Sequence, residues 1–349
     1  MRALLYDSFG SPLRVANIPD PAVPPDGVVV EVKASGVCRS DWHGWKGHDP
    51  DIRTLPHIPG HEFAGVIVAV GPDVRRWRIG ERVTTPFALG CGRCEYCLAG
   101  DQQVCEIQFQ PGFSGPGSFA EYVALPFADL NLVRLPDAME FVDAAMLGCR
   151  FVTAFRGIAK QARLRAGEWI AVYGCGGVGL STVMIASALG AKVIGVDIVD
   201  EKLARAREAG AAHTFNAADV SDVPEAIREL TAGGAHVSTD AFGSAGTCRD
   251  SILSLRRRGR HVQIGLLFGD HAEPALPMGR IIAHELELFG SHGMQAHAYP
   301  EVFEMIAAGK LLPGRLVGQR ITLEAAGAAL ASLASSPGTG VTVIDRFTA

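Results

Sequence analysis

Two hydrophobic patterns divide the chain near residue 150. Residues 28–34, 63–70 and 119–125 are short runs rich in β-branched side chains, and glycine and proline separate them. Such runs predict a compact β-barrel or sandwich. Beyond residue 147, apolar strands alternate with longer helical segments, which is the pattern of parallel βαβ units. We therefore predict a β-rich domain over residues 1–149 and a parallel α/β domain after it.

The elements predicted for the rest of the chain follow this alternation. In chain order they are a strand at 169–173, a helix at 178–189, a strand at 192–197, a helix at 201–209, strands near 236–241, 260–265 and 286–290, helices at 300–308 and 323–333, and a last strand at 341–345. The α/β domain then spans 150–292. We expect residues 293–349 to form a C-terminal segment that returns to the first domain.

Composition excludes several classes of protein. The chain carries 32 Lys and Arg against 37 Asp and Glu, a net charge of −5, so a nucleic-acid partner is not expected. The first ten residues lack the apolar core of a secretory signal, which predicts a cytoplasmic protein. Residues 169–191 are uncharged and long enough to span a bilayer, but four glycines lie in their first half. That clustering favours a strand, a tight loop and a helix over a membrane segment.

Four of the eight cysteines lie close together in the sequence, at Cys91, Cys94, Cys97 and Cys105. In a reducing compartment clustered thiols are more often metal ligands than disulfides, and four thiolates describe a structural zinc site. The main alternative is an iron–sulfur cluster, because two C-x2-C steps also open the bacterial ferredoxin motif. Here the fourth cysteine follows after seven residues instead of three, and Glu106 replaces the proline. A zinc-ribbon contact to nucleic acid, disulfides and free thiols remain further alternatives.

A glycine motif of the form G-x-G-x-x-G follows the predicted strand at 169–173 and opens the next helix. Its residues include Gly174, Gly176, Gly177, Val178 and Gly179. The glycines permit a tight turn, a close approach to a pyrophosphate and helix packing, while the helix N-terminus supplies N–H groups. Asp197 ends the second strand about 20 residues on, where a carboxylate bonds the ribose diol and favours NAD. Lys202 and Arg205 keep NADP open, and a turn that binds no nucleotide is the remaining alternative.

A second set of metal-ligating side chains is spread along the chain. Cys38 directly follows a predicted strand, His61 directly precedes one, and Cys149 lies at the domain boundary. Thiolates with an imidazole suit zinc, and three protein ligands leave a fourth position for water or substrate. A lone cysteine is more often a packing residue, so this prediction depends on all three meeting.

In chain order these motifs resemble the zinc-dependent alcohol dehydrogenases of the medium-chain dehydrogenase/reductase superfamily. The matching segments are residues 36–43, 60–62, 91–105, 148–149 and 174–179, followed by Asp197. The resemblance covers essentially the whole chain. It implies a GroES-like β-barrel catalytic domain over 1–149 with a zinc lobe at about 90–106. It also implies a Rossmann NAD-binding domain over 150–292, with a doubly wound parallel sheet, and two zincs per subunit.

The resemblance also implies a role for each matching residue. It makes Cys38, His61 and Cys149 the ligands of the catalytic zinc, and the four clustered cysteines those of the structural zinc. The implied catalytic neighbours are Glu62, which can approach the metal, Asp41, which orients His61, and Ser40 and His43, which relay the substrate proton to solvent. The implied cofactor contacts outside the glycine loop and Asp197 are Arg39, Thr153, Lys202 and Ile264.

The sequence departs from the family pattern in one place. Many members have an arginine just before the last strand to meet the pyrophosphate, whereas Gly340 and Val341 stand here. One charge contact to the cofactor is therefore missing. The third predicted ligand, Cys149, differs from the glutamate of polyol-type relatives, which favours simple alcohols over sugars.

These observations predict reversible hydride transfer from a primary or secondary alcohol to NAD, giving an aldehyde or ketone. The alternatives within the superfamily are dehydrogenases of polyols, threonine or thiol-adduct aldehydes. A catalytically silent NAD-binding scaffold and a metal-dependent regulator are the alternatives from other classes. We expect a homotetramer or homodimer, with an edge strand of the α/β sheet near 285–289 at the interface.

Overall fold

The computed structural model describes residues 1–333 and 338–348. Strands occur throughout this part of the chain. They are β1 (Arg2–Leu5), β2 (Arg14–Asn17), β3 (Val28–Val37), β4 (Phe63–Val70), β5 (Arg82–Thr84), β6 (Tyr122–Leu125), β7 (Val133–Arg134), β8 (Trp169–Tyr173), β9 (Lys192–Asp197), β10 (His213–Asn216), β11 (Ala235–Asp240), β12 (Leu255–Gln263), β13 (Glu287–Gly290), β14 (Val317–Thr322) and β15 (Val341–Arg346).

Helices are short in the first half of the chain and longer in the second. They are α1 (Arg39–Trp45), α2 (Glu95–Leu98), α3 (Ala128–Asn131), α4 (Phe141–Ala145), α5 (Val152–Phe155), α6 (Gly177–Ala188), α7 (Asp200–Glu208), α8 (Val223–Leu230), α9 (Ala245–Leu253), α10 (Met278–His284), α11 (Tyr299–Ala307) and α12 (Leu323–Ser332). Two π-helical stretches, Leu147–Phe151 and Arg156–Gln161, flank α5. None of the helices in the described residues combines the length and apolar composition that a bilayer crossing needs.

The chain forms two compact units. Unit 1 comprises Met1–Val152, Gly293–Ala307 and Val317–Ala349, and unit 2 comprises Thr153–His292 and Ala308–Leu316.

Unit 1 is built on a seven-stranded sheet. Its strands lie in the order β14-β15-β3-β4-β5-β7, and β6 pairs with β3 outside this path. The last strand, β15, runs antiparallel to β3 and pairs Ile344 with Ser35. The core contains valines of β3 and, from α12, Leu323, Ala326 and Leu330, whose spacing puts them on one face of that helix. The C-terminal segment thereby supports the strand that leads to Cys38.

Unit 2 contains a six-stranded sheet in the order β10-β9-β8-β11-β12-β13, and every pair is parallel. This is the strand order of doubly wound dinucleotide-binding folds, whose ligands bind beyond the carboxyl ends of the strands where the order reverses. The reversal lies between β8 and β11. The glycine loop follows β8 and therefore lies at this point.

Several predicted elements differ at their ends from the observed ones. The run at 119–125 is a strand only over Tyr122–Leu125, because Phe119 and Ala120 pair instead with the first strand. The strand predicted at 28–34 continues to Val37, since β15 and β4 supply partners along its end. The helix after the glycine loop begins at Gly177, one residue earlier than predicted.

Candidate active site

A buried carboxylate, Asp41, joins two of the three distant ligand segments. Cys38 precedes α1, and its backbone N–H donates to Asp41 Oδ2 at 2.9 Å. Asp41 Oδ1 accepts from the Gly60 N–H at 3.0 Å and from His61 Nδ1 at 2.8 Å. Because Nδ1 of His61 donates to this carboxylate, Nε2 is left as a metal ligand atom.

Only glycine fits at position 60, where this segment passes through the core. Gly60 has φ +105°, and a Cβ there would lie 2.5 Å from Phe119 Cδ1 and 2.7 Å from its backbone nitrogen. The glycine therefore permits the close packing that places His61.

The third predicted ligand, Cys149, lies in the π-helical stretch Leu147–Phe151. The ligand atoms of Cys38, His61 and Cys149 all lie within 4.8 Å of one another. His61 is 1 % exposed, and its Nε2 atom has no hydrogen-bond partner among the described residues. Two thiols and an orphaned imidazole nitrogen in a buried cluster form a donor set that fits zinc, with one coordination position left open.

A hydrogen bond joins the two thiols of this cluster. The hydrogen bond between them holds the pKa of Cys38 well below its ordinary value, and the Arg150 charge lowers it further. The same hydrogen bond, with burial, holds the pKa of Cys149 well above its ordinary value. A bound metal would favour the deprotonated form of both thiols.

A buried ion pair that the sequence analysis missed borders this cluster. Glu62, next to His61, pairs with Arg150, next to Cys149. Both are buried, and the Arg150 backbone N–H also donates to Glu62 Oε1 at 3.2 Å. One signal could have revealed it, because Arg150 and Asp143 are the charges in the otherwise uncharged and mostly apolar stretch 141–155.

Ser40 and His43 are three residues apart on α1 and therefore share one face of the helix. Ser40 Oγ lies 3.8 Å from Cys38 Sγ. His43 Nδ1 lies 3.0 Å from Nδ1 of the exposed His48, a histidine that the sequence analysis did not single out. Burial, with the nearby Arg39 and His48 charges, lowers the pKa of His43 to about 4. The imidazole of His43 is therefore neutral near pH 7.

Aromatic rings surround the imidazole of His61. Its ring centroid lies 5.1 Å from that of Phe113 and 6.1 Å from that of Phe87. These apolar faces keep the cluster dry on one side, which strengthens electrostatic interactions inside it.

The four clustered cysteines form the second metal site. Their sulfur atoms all lie within 4.8 Å of one another. Backbone N–H groups point at the sulfurs, with Cys91 N 3.4 Å from Cys105 Sγ and Cys97 N 3.5 Å from Cys94 Sγ. A Cβ on Gly90 would lie 2.9 Å from Cys97 Sγ, so the loop has no room for a side chain there. All eight cysteines are among the described residues, and each is free of a disulfide.

The pKa values differ among these four thiols. Burial raises the pKa of Cys91, but hydrogen bonds from the backbone N–H groups of Arg93 and Cys94 outweigh it and bring the pKa to about 6. Burial raises the pKa of Cys97 to about 12. A cation bound by all four would deprotonate the more basic thiols as well.

The glycine loop of unit 2 has the space that a bound phosphate needs. Gly174 has φ +90°, and a Cβ on Gly179 would lie 1.8 Å from the Gly174 carbonyl oxygen. A Cβ on Gly176, which precedes α6, would meet nothing within 4 Å. Gly177 and Val178 form the first turn of α6, so their N–H groups point into this open space.

Asp197 is fixed at the end of β9. Its Oδ2 accepts from the Cys175 N–H at 2.8 Å, and its Oδ1 accepts from the Ile198 N–H at 2.8 Å. Lys202 Nζ lies 3.9 Å from Oδ1. The carboxylate therefore lies beside the glycine loop.

The remaining predicted cofactor contacts lie in both units. In unit 2, Thr153 is buried, its carbonyl accepts from Ser291 Oγ at 3.2 Å, and Ile264 is buried just beyond β12. In unit 1, Arg39 is exposed, its Nη1 donates to the Leu333 carbonyl at 3.2 Å, and its guanidinium lies 5.3 Å from the Trp42 ring. Their cofactor roles stay predictions.

Two family models match the chain. The one described as alcohol dehydrogenase GroES-like domain matches residues 24–137, and the one described as zinc-binding dehydrogenase matches residues 177–308. The first match includes Cys38, His61 and the four clustered cysteines, but it ends before Cys149. The second match begins within the glycine loop, at residue 177.

Known proteins resemble the chain over most of its length. An alcohol dehydrogenase of Geobacillus stearothermophilus is 35 % identical over 89 % of this chain and 90 % of its own length. An NAD-dependent alcohol dehydrogenase of Sulfurisphaera tokodaii is 33 % identical over 99 % of both chains. The crystal structure of the alcohol dehydrogenase of Aeropyrum pernix has a TM-score of 0.89 and 29 % identity, covering 99 % of this chain and 100 % of that one. The chain therefore belongs to the zinc-binding alcohol dehydrogenases of the medium-chain dehydrogenase/reductase superfamily.

Proposed function

We propose that this protein catalyses reversible hydride transfer from simple primary or secondary alcohols to NAD, giving aldehydes or ketones. The observation that carries the proposal is the buried cluster of Cys38, His61 and Cys149, which offers three ligand atoms and leaves one position open. A closed structural site has no such position. The similarity to an NAD-dependent alcohol dehydrogenase over the whole chain supports the same reaction.

Cys38, His61 and Cys149 would hold a zinc ion, which would act as a Lewis acid and lower the pKa of an alcohol hydroxyl group. Asp41 keeps His61 in the tautomer that presents Nε2 to the thiols. The proton released from the alcohol must leave a buried site, and Ser40 and His43 on α1 are the groups proposed to carry it. The imidazole of His43 is neutral near pH 7, so one ring nitrogen can accept a proton while the other donates one.

The glycine loop and Asp197 are proposed to bind the cofactor. The N–H groups at the start of α6 would take the pyrophosphate, and Asp197 would accept hydrogen bonds from the adenosine ribose diol. Repulsion between the Asp197 carboxylate and a 2′-phosphate would weaken NADP binding, which favours NAD. Lys202, whose Nζ lies 3.9 Å from the carboxylate, offers a positive charge that could bind the 2′-phosphate of NADP.

The ligand chemistry favours simple alcohols over polyols within the superfamily. Cys149 is a thiol where the polyol-type pattern has a glutamate, and Phe87 and Phe113 line the His61 ring with apolar surface. A polyol would require polar groups that pair its several hydroxyls. We therefore propose an apolar substrate with one reacting hydroxyl.

We also propose a cytoplasmic homo-oligomer, a tetramer or a dimer. β13 lies at the edge of the sheet in unit 2, and an edge strand offers unpaired backbone groups to a second copy. No nucleic-acid or membrane partner is proposed, in keeping with the net charge of −5.

The test is NADH formation from NAD by the purified full chain, with and without a zinc chelator. The panel contains short and long primary alcohols, secondary alcohols, benzyl alcohol, sorbitol and threonine. We expect chelator-sensitive turnover of the simple alcohols. Turnover confined to sorbitol or threonine would show that the substrate is a polyol or an amino alcohol and not a simple alcohol. No turnover by protein that holds two zincs would favour a silent scaffold.

A further inference from the structure

Arg150 is a buried guanidinium at the edge of the three-ligand cluster. It is 6 % exposed, and it directly follows the ligand Cys149. Its Nη1 donates at 3.0 Å to the carbonyl of Val37, the residue before Cys38. A buried charge is costly unless it is paired, so this side chain needs a compensating anion.

The anion is Glu62, which directly follows the ligand His61. Its side chain is fully buried, and its Oε2 is paired with Arg150 Nη2. The Arg150 backbone N–H donates to the other oxygen, Oε1, at 3.2 Å. A single residue therefore engages both carboxylate oxygens, one through its side chain and one through its backbone.

The ion pair lies directly against the backbone of Gly36. A Cβ on Gly36 would lie 2.6 Å from both Arg150 Nη2 and Glu62 Oε2. The Gly36 N–H also donates to the Glu62 carbonyl at 2.7 Å. The absence of a side chain at position 36 therefore leaves the room in which the guanidinium and the carboxylate meet beside β3.

The charges of the cluster explain why the pair matters. Two thiolates, from Cys38 and Cys149, already balance the charge of one divalent zinc ion. Glu62 adds a further buried negative charge next to His61, and carboxylate oxygens are good zinc ligands. The atoms that lie within 4.8 Å of one another nevertheless belong to Cys38, His61 and Cys149, and Glu62 is not among them.

We propose that Arg150 is a positioning residue that holds the Glu62 carboxylate away from the metal, so that the open coordination position stays available to the alcohol. The inference rests on the proposed zinc-dependent alcohol oxidation. If Arg150 lost its charge, Glu62 would be a buried carboxylate whose remaining source of positive charge is the metal. It would then compete with the alcohol for the fourth position.

The test replaces Arg150 by Gln in the full-length protein loaded with cobalt in place of zinc. Cobalt occupies sites of the same donor type, and its visible absorption bands depend on coordination geometry. The four-cysteine site contributes equally in every variant, so difference spectra report the three-ligand site. For Arg150→Gln we expect changed bands, and a KM for the alcohol raised by about tenfold or more. The KM for NAD should change by less than about twofold.

A double variant, Arg150→Gln with Glu62→Gln, tests whether Glu62 causes the defect. Removing the carboxylate removes the competitor, so the cobalt bands and the KM for the alcohol should return to within about threefold of the wild-type values. A purely structural role for Arg150 would leave the double variant as impaired as the single one. That result would overturn the proposal.

The matched control is Arg260→Gln in unit 2. Arg260 is 9 % exposed, pairs with Glu168 at 2.6 Å and donates to the carbonyls of Ala162 and Arg163, so it is another arginine in a largely buried ion pair. Its loss should lower stability and leave the cobalt bands and the KM for the alcohol unchanged. The same spectral change in both variants would contradict a specific role for Arg150.

If Arg150→Gln does not fold, Arg150→Lys replaces it. Lysine keeps the charge but lacks the planar fork that engages Val37 and Glu62 together, so we expect smaller changes of the same kind. Wild-type cobalt bands and an unchanged KM in the substituted protein, Gln or Lys, would overturn the proposal. Absence of turnover and of cobalt uptake in the wild type would instead refute the proposed function.

Discussion

The two metal sites of unit 1 use opposite designs. The four cysteines come from 15 consecutive residues, whereas Cys38, His61 and Cys149 come from three segments that the sheet brings together. The first site offers four sulfurs to an ion, and the second offers three ligand atoms. A site that only holds an ion can be closed by one local loop, while a site that reacts must leave a position open.

The surroundings of the two sites also differ, because they come from neighbouring residues at one site and from distant segments at the other. Backbone N–H groups meet the sulfurs of the four-cysteine loop, as for Cys91 N and Cys105 Sγ. The three-ligand site is bordered instead by Asp41, Glu62 and Arg150, each held by several hydrogen bonds. Local backbone groups are enough for a structural ion, whereas the reactive site is tuned by buried charges from distant parts of the chain.

Cys149→Ser is the change that should separate the two sites most strongly. Serine is a poor zinc ligand, so the three-ligand site should lose its ion while the four-cysteine site keeps its own. The loss of the Lewis acid should lower kcat/KM by about a thousandfold or more, equivalent to roughly 4 kcal/mol. Zinc content per chain and NADH formation measure the two effects.

Circular dichroism of Cys149→Ser provides the control for folding. We expect the far-ultraviolet spectrum to match the wild type, because β3, β4 and β15 do not depend on this ligand. If the variant retained two zincs and wild-type turnover, Cys149 would not be a ligand, and the contrast between the sites would fail.

The sequence predicts one of these sites far more directly than the other. The spacing of Cys91, Cys94, Cys97 and Cys105 identifies a metal loop because all four ligands are local. No spacing rule links residue 38 to residue 149. That set was predicted from ligand types that lie next to predicted strands and at the domain boundary, and the family resemblance then implied the same three residues. Arg150 escaped prediction, since its partner Glu62 is 88 residues away and only the packing beside β3 shows the pair.

Prediction of the strands is limited in the same way, because local sequence does not show contacts between distant residues. β8 and β9 were predicted with their observed ends because apolar runs between turn residues define buried parallel strands. Short strands such as β5 and β7 were not predicted. Each has only two or three residues, and its pairing is set by neighbours that are distant in sequence.

Cys97→Ser should empty the four-cysteine site and spare the three-ligand site, which is the reverse of Cys149→Ser. Cys97 is buried in its loop, and loss of one sulfur should release the structural zinc. Because a bound ion would link four residues of this loop, we expect its loss to lower the Tm by roughly 5 °C. The kcat of the molecules that remain folded should change by less than about twofold, since the three-ligand site is intact.

Calorimetry and zinc content, followed by turnover at a low temperature, check Cys97→Ser. Cys248→Ser serves as the matched control, because Cys248 is a buried cysteine in α9 of unit 2 that belongs to neither cluster. It should keep both zincs. A Cys97→Ser protein with an unchanged Tm and one zinc per chain would show that the closed site does not stabilise the fold.

His43→Gln should lower turnover far less than Cys149→Ser does. Its pH dependence sharpens the contrast between the sites, because only an open site must export a proton. The pKa of His43 is lowered to about 4, so the wild-type imidazole is a neutral acceptor from about pH 5 upward. Glutamine accepts no proton, and the alcohol proton must then leave to water or hydroxide, which becomes easier as pH rises. We expect turnover to fall by about tenfold at pH 6 and by less than about twofold at pH 9.

Steady-state rates across this pH range measure the loss of turnover. The control is His213→Gln, which replaces an exposed histidine in β10. An equal loss at every pH would mean that His43 supports the structure of α1 and carries no proton.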